Sequence, residues 1–249
     1  MIKYELKDDV GILVLNRPEK RNALHPDLVK QMKIKLREIK NNNEVKVLVI
    51  TGEGKSFCAG ADLAYLNDLK NYSPFENEKD SRELAELFLM IYNFPKPVIA
   101  AVNGAAIAGG CGLASVCDLI VADEVNSKFG YSEVKIGFLP AMVSYFIICK
   151  VGEGLARQLL LSAEVINGKR AYELGFVNYL YNNVLEGAMD IASNLKQNST
   201  LSMRLSKEMI KTVSSLSLED AIEYCINLNV ISRTTEDFKN GLNRFLTKK

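Results

Sequence analysis

Pro97-Val-Ile-Ala-Ala-Val-Asn-Gly-Ala-Ala-Ile-Ala-Gly-Gly-Cys-Gly-Leu-Ala114 reads as a strand, a glycine-rich turn and the opening of a helix. Pro97 to Val102 is a short apolar run with its proline at the start, where a strand tolerates a missing N–H. The spacing from Gly104 to Gly109 is G-x-x-x-x-G, but Gly110-Cys111 stands where a triphosphate loop needs Lys followed by Ser or Thr. No G-x-G-x-x-G is present in the turn either, so the dinucleotide fingerprint is absent. What remains is a glycine pair at a helix start, whose free N–H groups can stabilise negative charge.

Outward from this stretch the chain alternates strands and helices. Gly11-Ile-Leu-Val-Leu-Asn16, Val45-Lys-Val-Leu-Val-Ile-Thr51 and Asp118-Leu-Ile-Val-Ala122 are β-branched apolar runs bounded by turn residues, and Val177-Asn-Tyr-Leu-Tyr181 is a last strand candidate. Pro26 to Lys40 has helical spacing, with Pro26 in the first turn and Asn41-Asn-Asn43 as the stop. From Gly154 onward the pattern is helical, best seen in Leu155–Ser162, Val184–Leu195, Thr200–Val213 and Leu218–Ile231. The expected class is therefore α/β, with a core over residues 1–190 and a C-terminal helical region over 191–249 that packs on the core or on a neighbouring subunit.

Composition narrows the function. The 31 Lys and Arg against 30 Asp and Glu give a net charge of +1, which argues against a nucleic-acid partner. The most apolar stretch, Val98 to Cys117, is broken by Asn103, Ser115 and glycines, and the N-terminus MIKYELKDDV lacks an apolar run. The expectation is a soluble cytoplasmic protein without membrane contact. The five cysteines form no C-x-x-C pair and are expected to be reduced and buried. The sole histidine, His25, precedes the Pro26 helix as a surface or capping residue, which disfavours Ser–His chemistry.

Two further segments can carry chemistry. Lys55-Ser-Phe-Cys-Ala-Gly-Ala-Asp-Leu-Ala64 follows the strand ending at Thr51; its small residues uncover the backbone N–H groups, and Asp62 can cap a helix starting at Leu63. Phe129-Gly-Tyr-Ser-Glu-Val-Lys-Ile-Gly-Phe-Leu-Pro140 holds Glu133 among apolar residues. A carboxylate there is either paired, with Lys135 or with backbone, or has the raised pKa that proton transfer needs. An N–H from each glycine-rich turn, converging on one oxygen, would form an oxyanion hole.

The three segments, in this order, resemble the crotonase family, the enoyl-CoA hydratases and isomerases. Asn16-Arg-Pro-Glu-Lys-Arg-Asn-Ala-Leu24, Lys96-Pro-Val-Ile-Ala-Ala-Val-Asn-Gly104, Cys117-Asp118 and Ala171-Tyr-Glu-Leu-Gly-Phe-Val177 extend the likeness over essentially the whole chain. The resemblance implies a spiral of ββα units with a C-terminal helical region, assembled as a homotrimer or a dimer of trimers. It implies that Ala61 and Gly109 supply the oxyanion hole and that Glu133 is the catalytic glutamate. Ala61, Asp62, Leu63 and Ala64, with Ala59, Gly109 and Gly110, would line the acyl-CoA site. Lys55, Lys20 and Arg21 are candidates for coenzyme A phosphate and adenine contacts. Coenzyme A would be part of the substrate, with no separate cofactor and no metal.

One departure bears on the reaction. Hydratases of the family typically carry G-G-C-E, whereas this chain has Gly109-Gly-Cys-Gly112 and so lacks a second glutamate. Pro140-Ala-Met-Val-Ser144 also replaces the usual Pro-Gly-Ala-Gly-Gly-Thr, adding the bulk of Met142 and Val143. Glu133 alone can shuttle one proton, which suits double-bond isomerisation, while overall likeness leans toward hydration to a 3-hydroxyacyl-CoA. A non-catalytic acyl-CoA-binding protein is the alternative. If the pocket is otherwise intact, Gly112→Glu is expected to raise hydration.

Overall fold

A tight hairpin opens the computed structural model of the protein, which describes residues 1–247. Its strands are β1 (Ile2–Lys7) and β2 (Val10–Leu15), antiparallel and joined by Asp8 and Asp9 at φ 49° and 62°. Two left-handed residues give the turn twist that matches the strands, and Asp tolerates that conformation. Helix α1 (Pro26–Asn41) starts where His25 Nδ1 accepts from the Asp27 N–H at 3.3 Å, and it buries Leu28, Val29, Met32, Leu36 and Ile39. Strand β3 (Val47–Gly52) is buried along its whole length, the pattern of a strand covered on both faces.

From here one unit repeats. A strand of the large sheet leads to a short strand of a second sheet and then to helix. Strand β3 is followed by β4 (Ser56–Cys58), α2 (Leu63–Asp68) and α3 (Pro74–Tyr92). Strand β5 (Val98–Val102) is followed by β6 (Ala105–Ile107) and α4 (Gly109–Ser115). Strand β7 (Leu119–Ala122) is followed by β8 (Lys128–Gly130), a 3-10 turn at Glu133–Ile136 and α5 (Ala141–Ser162). The chain then forms β9 (Val165–Asn167), α6 (Gly168–Glu173), β10 (Tyr179–Leu180) and α7 (Val184–Leu195). The helices α8 (Thr200–Val213), α9 (Leu218–Arg233) and α10 (Glu236–Leu246) end it. The large sheet runs β1-β2-β3-β5-β7-β10 and the small one β4-β6-β8-β9, the arrangement expected of a spiral of ββα units.

One core lies between the sheets and helices α1, α3, α4 and α5. The other face of the large sheet is covered by α7, through Val184, Ala188, Ile191 and Ala192. Helix α7 runs across residue 190 and packs on the large sheet. Helices α8 and α9 bury none of their own residues. Lys207 of α8 pins that region to the core, donating to Asp118 Oδ2 at 2.6 Å and to the Lys96 carbonyl at 3.1 Å.

Several expectations change. The helix expected over Leu155–Ser162 is present after a break at Gly152, at φ 77°, and a further helical stretch from Ala141 precedes it. The last strand shrinks to Tyr179–Leu180. Only Cys58, Cys111 and Cys117 are buried; Cys149 is exposed and Cys225 half-buried, because both lie on helices with an outward face. Among the described residues no helix is long and apolar enough to cross a membrane.

Candidate active site

The two glycine-rich turns lie against each other where the sheets meet. The first follows β4. Leu24 N–H donates to the Gly60 carbonyl at 2.7 Å, and Asp62 N–H donates to the Leu24 carbonyl at 2.9 Å. This single parallel bridge uses the groups on either side of Ala61. The Ala61 N–H therefore points the other way and finds no acceptor among the described residues. Its turn is set by Gly60, at φ 87°.

The second turn follows β6. Ala108 stands at φ 50° and ψ −124°, a conformation that costs a residue with a Cβ about 1–3 kcal/mol. Its N–H is held by the Gly130 carbonyl of β8 at 2.8 Å. Helix α4 starts at Gly109, whose N–H is one of the helix's free donors. A Cβ built on Gly60 would come 2.8 Å from the Ile107 carbonyl oxygen and 3.5 Å from the Gly109 nitrogen. The donor-bearing turns thus approach each other at Gly60, against the Ile107 carbonyl, the Ala108 Cβ and the Gly109 nitrogen. Ala61 and Gly109 are half-buried and open to a ligand.

Glu133 begins the 3-10 turn after β8 and is buried, 8% exposed. Among the described residues its Oε2 has no hydrogen-bond partner, and Lys135 does not pair with it. Burial pushes its carboxyl above the ordinary range. Cys111 is no nucleophile, since burial pushes its thiol up to about 12.

Asp62 caps α2 as its position suggests, accepting from the Ala64 N–H at 3.0 Å. Its other oxygen meets Arg17 Nη2 at 3.0 Å, and both side chains are buried. Arg17 also donates to the Ala23 carbonyl at 2.8 Å. Burial alone would raise the Asp62 carboxyl, but the Arg17 hydrogen bond and the N–H groups of Ala64 and Tyr65 hold it below the ordinary range. Sequence reading missed Arg17, although it sits inside the quoted Asn16-Arg-Pro stretch. Asp62→Ala should leave the Arg17 charge buried and lower stability by about 3–5 kcal/mol, measurable by urea unfolding. Because the folded pKa is depressed, this contribution is present above the unfolded pKa and lost as pH falls through the folded one.

Lys20, Arg21 and Lys55 are exposed and share one rim. Asn22 Nδ2 ties their turns together, donating to the Glu53 carbonyl at 2.9 Å and the Ser56 carbonyl at 2.7 Å. The Arg21 carbonyl accepts from the Ala59 N–H at 3.0 Å, so the rim adjoins the Gly60 turn. Leu63 and Ala64 are exposed on the first turn of α2, while Gly110 is buried behind Gly109. A cavity of about 840 Å³ between α1 and α3 reaches Ala61, but Gly109 and Glu133 lie outside its lining. Of the bulky residues expected in this loop, Val143 is buried against Gly112 and Met142 is half-buried against the core.

The arrangement offers two backbone donors, one buried carboxylate and a basic rim, the parts needed to stabilise an enolate and move a proton. The known proteins that resemble the chain are consistent with this. A family model described as enoyl-CoA hydratase/isomerase matches residues 5–249. A Thermus thermophilus protein named "Putative enoyl-CoA hydratase" is 39% identical, covering 100% of this chain and 98% of its own length. A crotonyl-CoA hydratase of Syntrophomonas wolfei is 34% identical, over 100% and 95%. The crystal structure of an enoyl-CoA hydratase from Polaromonas sp. JS666 superposes with a TM-score of 0.95 at 32% identity, over 100% of this chain and 97% of that one. With its ββα spiral and a family match over nearly its whole length, the chain belongs to the enoyl-CoA hydratase/isomerase, or crotonase, family.

Proposed function

We propose that this enzyme adds water across the C2=C3 bond of an enoyl-CoA, with Glu133 as the single proton-transfer group. The observation that carries the reading is the buried Glu133 carboxyl, whose Oε2 has no partner among the described residues, together with the free N–H of Gly109 at the start of α4. The relatives named as hydratases support the same reaction. The N–H groups of Ala61 and Gly109 hold the thioester oxygen. The Glu133 carboxylate takes a proton from water as the water oxygen bonds to C3, and the electron pair moves to the thioester oxygen. Glu133 then returns that proton to C2, so H and OH add and the carboxylate is regenerated. Lys20, Arg21 and Lys55 lie where a basic rim would meet the coenzyme A phosphates.

Gly112 favours a second reading, isomerisation. There the Glu133 carboxylate takes a C2 proton from a 3-enoyl-CoA and returns it to C4 as the double bond moves to C2=C3. Mass spectrometry of 2-enoyl- and 3-enoyl-CoA turnover in heavy-oxygen water tests both readings. Label in 3-hydroxyacyl-CoA supports hydration, and conversion of 3-enoyl to 2-enoyl without label supports isomerisation. If neither product forms at any chain length, both readings fail, and binding of acyl-CoA without catalysis or a different acyl-CoA substrate takes their place.

Assembly as a homotrimer or a dimer of trimers belongs to the same proposal. Leu218, Ile222, Ile226 and Val230 of α9 are more than half exposed, an apolar series that a second copy would cover. Light scattering should then give three or six times the chain mass of 27.7 kDa, and a monomer would contradict it.

A further inference from the structure

The glycines of α4 are glycines for different reasons. A Cβ on Gly110 would overlap the Cys58 carbonyl oxygen, a backbone obstacle that no side-chain change removes. At Gly112 the obstacle is a side chain from another helix. A Cβ there would overlap Val143 Cγ1 and come 3.2 Å from Val143 Cβ and 3.4 Å from Phe88 Cζ. Both Gly112 and Val143 are buried, Val143 on the first turn of α5. The α4 turn cannot easily move away, since the Gly112 N–H donates to the strained Ala108 carbonyl at 3.0 Å. Gly112 lies one helical turn on from Gly109 in α4, on the same side of the helix as the proposed oxyanion donor.

We infer that Val143 is a specificity-determining residue: its Cγ1 methyl stands where any side chain at position 112 would begin, keeping a second proton-handling group out of the α4 wall of the site. The inference rests on the proposed proton transfer by Glu133. In the natural chain one carboxylate takes and returns the proton in turn. With a carboxylate at 112, the two halves of hydration separate. That group takes a proton from water as the oxygen bonds to C3, while Glu133 as carboxylic acid gives its proton to C2. Solvent restores both protonation states between turnovers. Gly112→Glu on its own therefore does not raise hydration, because Val143 leaves it no room and the condition of an otherwise intact pocket is not met.

The steric part is tested on folding alone. Gly112→Ala should lower the melting temperature by roughly 4–10 °C, and Val143→Ala in the same chain should remove most of that additional loss. The chemical part compares Gly112→Glu/Val143→Gly with Val143→Gly. Heavy-oxygen incorporation relative to 3-enoyl-to-2-enoyl conversion should rise about tenfold or more in the paired variant. Equal cost of Gly112→Ala with and without Val143 would overturn the inference. So would a paired variant that fails to fold while Val143→Gly folds, since the removed valine should have made room. A folded paired variant with an unchanged product ratio would overturn it as well. None of these results touches the loss of turnover expected on removing Glu133 from the natural chain, so the inference can fail while the proposed function stands.

Discussion

Glu133→Gln should lower kcat by about 100- to 10,000-fold while leaving the acyl-CoA Kd within about threefold. Glutamine keeps the shape and one hydrogen-bonding oxygen but cannot take up a proton. The substrate is held elsewhere, by the turn donors and the basic rim, so binding should survive. The same residue sets the pH dependence. Burial raises the Glu133 carboxyl above its ordinary value of 4.5. The carboxylate is the form that accepts the proton, so kcat/KM should fall as pH drops through a midpoint above 4.5, and Glu133→Gln should lack that limb. Full turnover by the variant, or an unchanged acid limb, would remove Glu133 from the mechanism.

Gly110→Ala should have the second-largest effect, although Gly110 touches no reacting atom. The added Cβ would come 2.7 Å from the Cys58 carbonyl carbon and closer still to its oxygen. Since the obstacle is backbone, the first turn of α4 must move off β4, which carries Gly109 away from Ala61. The expected cost is about 1–3 kcal/mol of stability, from overpacking. Loss of one aligned oxyanion donor should also lower kcat by about 100- to 1,000-fold. Stability and kcat measured on one preparation separate the two effects. Wild-type kcat in a folded variant would mean that the Gly109 N–H is not a donor to the substrate.

The inner strands of the large sheet were legible because they are apolar, β-branched and buried on both faces, as in Val47–Gly52, whereas the edge strand β1, largely exposed, was not read as a strand. The small sheet was not legible. Ser56–Cys58, Ala105–Ile107, Lys128–Gly130 and Val165–Asn167 are three residues each, too short for a period of two to register. Helix α3 also escaped notice, because its first half is charged; Ser73 and Glu76, which form a capping box, were the available signal. In the site, the Asp62 cap followed from local spacing. The roles of Ala61, Gly109 and Glu133 came from the family resemblance, and chemistry alone left Glu133 open. What sequence could not supply was contact between distant segments. Arg17 meets Asp62 only once β2 and α2 are assembled, and Val143 blocks Gly112 only once α5 lies on α4.

The central claim, that Glu133 moves a proton at C2 of a bound enoyl-CoA, is tested most directly in heavy water. Wild type and Glu133→Gln would each turn over 2-enoyl- and 3-enoyl-CoA, with deuterium at each carbon followed by mass spectrometry. Wild type should place deuterium at C2 of the 3-hydroxyacyl product, and the variant should do so about 100-fold more slowly or worse at equal substrate occupancy. Deuterium entering C2 at the wild-type rate without the Glu133 carboxylate would contradict the account.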